Sequence, residues 1–157
     1  MSRVTDIEQA VERLLVEMVD TLPAGCATVK VKRAPLIGHD GVSVWIRPAN
    51  RRAAEIVVDA QNGNDTVTIS AGEATPIEII YRKGRSLAAD VAEICRAIIE
   101  GHIEEELWSV DSQVIKSIAR IEFGGQVHAF RRHTGLFYPF RRKERRQVRY
   151  EPYTSRG

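Results

Sequence analysis

The sequence predicts an α+β fold: an antiparallel β-meander of about five strands with two amphipathic helices on one face, followed by a C-terminal β-hairpin and a basic tail. Three observations carry this reading. Apolar residues recur with a helical period at the start of the chain and again from Leu87 to Ile99. Between these stretches the period drops to two, the signature of half-buried strands. The alternating runs are also separated by turn-forming residues, too few for the crossovers that parallel strands need.

In the first helix, Ile7, Val11, Leu14, Leu15, Met18 and Leu22 fall on one face. Thr5 with Glu8 has the spacing of a capping box, and Pro23-Ala24-Gly25 closes the segment. The strands follow as Thr28–Lys32, Val42–Arg47, Glu55–Asp59, Thr66–Ser70 and Ile77–Tyr81. Pro35 with Gly38-His39-Asp40-Gly41, then Asn62-Gly63-Asn64-Asp65, supply turns. The second helix begins near Ser86, with Leu87, Val91, Ile94 and Ile98 as its stripe. It either stops at Gly101 or runs on through Glu104, Glu105 and Glu106 to Trp108. Ile118–Phe123 and Gln126–Arg132 then form a hairpin about Gly124-Gly125, and Leu136-Phe137-Tyr138 adds a short strand limited by Pro139.

Alternation separates two sheet faces. Val29, Val31, Val42, Val44, Ile46, Ile56, Val58, Val67, Ile69, Ile77, Ile79 and Tyr81 form the floor for the helices. The opposite face is polar, with Trp45, Val57 and Ile80 as apolar islands beside Arg47. Such a face can stay solvated in an antiparallel sheet.

The 157 residues suit one domain, with residues 133–157 set apart as a basic, aromatic segment. Hydrophobic residues make up 43% and charged residues 28%, near globular averages, which argues against wholesale disorder and a disulfide scaffold. Cys26 and Cys95 are too few for a disulfide framework and read as reduced thiols. The first twenty residues interleave charges, unlike a signal peptide, and no apolar run approaches a membrane span. The expectation is a cytoplasmic protein with no membrane contact. Net charge is only +2, yet residues 1–115 balance at −6 and residues 116–157 at +8.

No pattern in the chain assigns a catalytic residue, a metal site or a cofactor. Glycines lack phosphate-loop spacing, and no serine sits in a nucleophile elbow. His102 with Glu105 or Glu106 has helical ligand spacing but no second ligand pair. Glu55 and Glu78 share the open face with Lys30, Lys32, Arg47 and Arg82, which suits cross-strand ion pairs better than acid–base work. The expected function is a non-enzymatic protein–protein module of adaptor, secretion-chaperone or immunity-protein type. Its candidate contacts are Trp45, Arg47, Val57 and Ile80 on the open face and Phe137, Tyr138 and Phe140 in the tail.

The alternative is a nucleic-acid-binding accessory protein. Arg131, Arg132, Arg141, Arg142, Lys143, Arg145, Arg146 and Arg149 would neutralise phosphates beside stacking aromatics. Against it, the same tail can dock on the acidic Glu100–Glu106 region of its own chain or of a second copy in a homodimer.

Overall fold

The computed structural model describes residues 3–36, 39–61, 66–80, 86–135 and 138–155. Helix α1 (Arg3–Asp20) leads into strands β1 (Ala27–Leu36), β2 (His39–Pro48), β3 (Ile56–Gln61), β4 (Thr66–Ala71) and β5 (Thr75–Ile80). Helix α2 (Leu87–Ile99) follows, then β6 (Ile103–Val110), β7 (Gln113–Phe123), β8 (Gln126–His133) and β9 (Glu144–Arg149). The fold is α+β, with about 21% helix and 50% strand.

The first five strands form an antiparallel meander in chain order, here called sheet A. Its helix-facing side follows the alternation: Val42, Val44, Ile46, Ile56, Val58, Val67, Ile69 and Ile77 are buried. Val29, Val31 and Ile79 pack against them half-buried, while Tyr81 and the Asn62–Asp65 turn lie outside the described residues. On α1, Val11 and Leu15 are fully buried, with Ile7, Leu14, Met18 and Leu22 around them. The helix starts at Arg3, so Thr5 lies within it rather than capping it. The β1 strand continues through Pro35, an edge position where a missing N–H costs no ladder bond.

The second sheet departs from the expectation. The C-terminal hairpin (β7 with β8) is half of a four-stranded sheet B, ordered β8-β7-β6-β9. Helix α2 begins at Ser86, whose side chain accepts the Ala89 N–H at 3.3 Å. It ends at Ile99, because Gly101 takes a left-handed φ of +79° and turns the chain into β6. The acidic stretch is therefore a central strand, and the spacing of His102 to Glu105 and Glu106 is not helical. Strands β6 and β7 join through Asp111 and Ser112, both at positive φ, the mirror-image turn favoured in tight hairpins. The basic tail supplies β9, an antiparallel edge strand beside β6; Tyr138 lies outside any strand, and residues 136–137 lie outside the described residues.

Helix α2 packs between α1 and β7, joining the two sheets around one apolar cluster that extends from Val11 to Tyr153. Tyr153 is 1% exposed, and its hydroxyl donates to the Ala54 carbonyl at 2.6 Å. Tyr153, near the end of the described residues, is thus part of the core.

Candidate functional site

Two sheet faces gather most of the candidate side chains. On the outward face of sheet A the register places Lys30, Trp45, Val57, Ser70 and Pro76 in one transverse row. The adjacent row is Lys32, Ser43, Asp59, Thr68 and Glu78. Trp45 and Val57 are direct cross-strand partners and half-buried. The Lys32 ammonium sits 4.8 Å from the Trp45 ring centroid, a cation–π contact. The indole Nε1 of Trp45 is itself shielded, yet has no acceptor among the described residues.

Polar pairs flank this row. Arg47 Nε donates to Glu55 at 3.3 Å, and the Ser43 hydroxyl bonds Asp59. Glu55 and Glu78 lie two strands and two rows apart, so the register does not join them as a carboxylate pair. Lys30, Lys32 and Arg47 are matched on this face by Glu55, Asp59 and Glu78. The side chain of Ile80 lies outside the described residues, as does Phe137.

Sheet B divides the basic candidates between its two faces. On the inward side, Arg146 forms a double hydrogen bond with Glu73, including one contact of 3.0 Å. Arg132 donates to the Ala74 carbonyl at 3.0 Å. These two residues tie sheet B to the β4–β5 turn and do not join a shared outward patch. Arg141 is ion-paired with Asp111.

The centre of that inward side is Glu105, which is fully buried. Its carboxylate accepts the N–H groups of Glu73, Ala74 and Thr75 at 2.6, 3.2 and 3.1 Å. It also accepts the Thr75 hydroxyl at 2.9 Å and the Tyr150 hydroxyl at 2.6 Å. Thr75 has one proton to give, so the Ser117 hydroxyl 2.8 Å away is the donor to Thr75. A Cβ on Gly72 would stand 2.6 Å from the Tyr150 oxygen and closer still to Glu105, so only glycine fits there. Burial, then the adjacent Glu105 carboxylate, pushes the Tyr150 phenol well above its ordinary pKa.

On the outward side, Arg145, Trp108, Lys116 and His133 form a row across all four strands. Beside it run Gln147, Glu106, Ile118 and Arg131, then Arg149, Glu104, Arg120 and Ala129. The Lys116 ammonium lies 4.5 Å from the Trp108 ring centroid and the Arg145 guanidinium 5.8 Å from it. Glu106 is held by Arg120 at 3.0 Å and by Arg145, and Glu104 by Arg149 at 3.5 Å. Burial pushes the Glu106 carboxyl up, but hydrogen bonds and charge from Arg120 and Arg145 outweigh it and hold the group below the usual range.

Tyr138 is half-buried in the segment leading to β9, and Phe140 is 98% exposed beside the exposed Arg142 and Lys143. Sequence reasoning misses Trp108, Lys116, Arg120 and Tyr150 and misplaces Glu105, because their positions depend on β6 being a strand. The turn pair Asp111-Ser112 was the available signal. Among the described residues, no group of three or more His, Cys, Asp or Glu side chains could hold a metal ion, and no helix is long and apolar enough to cross a membrane. No protein-family model, no curated protein and no solved structure matches this chain.

Proposed function

We propose that the chain is a non-enzymatic protein–protein interaction module, of adaptor, secretion-chaperone or immunity-protein type, that engages its partner through the outward face of sheet A. The observation that carries this reading is the half-buried Trp45–Val57 cross-strand pair, an apolar island on an otherwise polar face. An aromatic residue at the centre of a surface, fixed in place while part of its ring stays accessible, is the usual form of an interface anchor. The balanced charges around it favour a folded protein surface over a polyanion. Free Cys26 and Cys95 suit a reducing compartment and hence a cytoplasmic location. A tail that grips nucleic acid as a free arm has less support, since Arg141, Arg145, Arg146 and Arg149 are already paired with carboxylates.

The test compares capture by immobilised wild-type protein and by Trp45→Ala from an extract of its native cells, with nuclease present. The expected result is one protein captured by the wild type and lost with Trp45→Ala at an unchanged melting temperature. Equal capture by both would move the interface elsewhere. Self-capture, seen as dimerisation in sedimentation, would make the partner a second copy of the chain.

A further inference from the structure

We infer that the outward face of sheet B, around Trp108, Lys116 and Arg131, binds single-stranded nucleic acid, the indole stacking on a base and the cations contacting phosphates. This surface is separate from the Trp45 face, and the inference stands independently of the reading given for that face.

The outward positions of the four strands carry Lys116, Arg120, Arg131, Arg145 and Arg149 against Glu104, Glu106 and Glu122, with Arg149 paired to Glu104. Arg120 and Arg145 are satisfied by Glu106. Lys116 and Arg131 have no carboxylate partner among the described residues, and neither do the exposed Arg142 and Lys143 just before β9. Among the described residues on the outward face of sheet A, by contrast, cations and anions cancel. An excess of uncommitted cations on one sheet face complements a phosphate backbone.

The second element is the indole in the middle of that charge. Trp108 is half-buried, so its position is fixed while part of the ring stays accessible. Lys116 lies over the ring at 4.5 Å, on a flexible and strongly hydrated stem. A base can displace that ammonium, which then turns toward the phosphate of the same nucleotide. Stacking of this kind accepts any base and needs it unpaired, so the ligand is a single strand and not a duplex. RNA and DNA share this chemistry, and the two are separated by experiment. An acidic protein segment would use the cations but not the ring face.

The experiment measures fluorescence anisotropy of labelled oligo(U) and oligo(dT) dodecamers with the full-length protein. A dodecamer of the same backbone without bases, heparin and polyglutamate serve as comparators. The expected result is salt-dependent binding, about tenfold weaker for the abasic strand and about tenfold weaker for Trp108→Leu, with Trp108→Phe largely restoring it. The double substitution Lys116→Gln with Arg131→Gln should flatten the log–log salt slope by about 1.4, at about 0.7 for each phosphate no longer neutralised. Unequal affinity for oligo(U) and oligo(dT) would name the preferred strand. No binding near physiological salt overturns the inference, as does equal affinity for the abasic strand or for polyglutamate. The abasic comparison uses the unaltered protein, so it decides the matter even if Trp108→Leu does not fold.

Discussion

The Tyr150 hydroxyl donates to the Glu105 carboxylate across 2.6 Å, linking the C-terminal segment to a buried acceptor on the central strand of sheet B. The same carboxylate holds three N–H groups at the β4–β5 turn of sheet A. One side chain thus joins both sheets and the tail. A buried carboxylate is tolerable only when its lone pairs are filled, and here five donors fill them.

Tyr150→Phe should therefore cost about 1.5–3 kcal/mol, the range for a hydrogen bond to a charged acceptor. Glu105→Ala should cost more than about 3 kcal/mol, because it leaves several turn N–H groups unpaired in the interior. Urea unfolding of the two variants and their double mutant gives the coupling energy. Additive losses would show that the two residues act separately.

Deleting residues 141–157 should unfold the chain or lower its melting temperature sharply. It removes an edge strand, the Glu105–Tyr150 bond and the fully buried Tyr153. Tyr153→Ala alone should cost about 3–5 kcal/mol as a large-to-small core change. A truncated protein that melts with the wild type would show that the tail is not part of the core.

Stability should fall at both ends of the pH range. Glu106 sits below its ordinary pKa, with Arg120 and Arg145 outweighing burial, and Glu151 does so through Asn50 and Arg52. Their contribution is present above the usual carboxylate range and is lost as pH falls through the lower folded values. Burial raises the Tyr150 and Tyr153 phenols, reinforced by Glu105 and Glu73 at Tyr150 and by Cys95 and Glu55 at Tyr153, so stability is lost again as pH rises beyond about 10. Melting curves across pH should show Glu106→Gln with a flatter acid limb and an unchanged alkaline one.

Thiol labelling should distinguish the two cysteines. Burial pushes Cys95 up to about 12, and the residue is fully enclosed. Cys26 is half-buried near the start of β1. The folded protein should expose one reactive thiol near pH 8, and the unfolded chain both. Rapid labelling of both in native buffer would contradict the packing around α2.

Sheet A was legible in the sequence because its strands obey simple alternation, as in Val42-Ser43-Val44-Trp45-Ile46, and its helices obey a clean 3.6 period. The pairing of Trp45 with Val57 follows from that register. Sheet B was only half legible. In β6, Glu105 takes an inward position that alternation reserves for an apolar residue, so Glu104-Glu105-Glu106 reads as a solvated helix end. Its hairpin turn is Asp111-Ser112, without the glycine that marks most such turns. In β9, Val148 is the only apolar residue of Glu144–Arg149, and the strand exists because β6 offers an open edge lined with carboxylates. The Trp108 surface was invisible for the same reason.

Whether the Trp45 face binds a protein is tested by site-specific photo-crosslinking in the native cell. A photoreactive phenylalanine analogue is placed at position 45, at position 57 on the adjacent strand, and at Glu17 on the exposed side of α1. Positions 45 and 57 should give the same single protein adduct, and position 17 none. Folded protein that gives no adduct at 45 or 57, or the same adduct at all three positions, would contradict binding through this face.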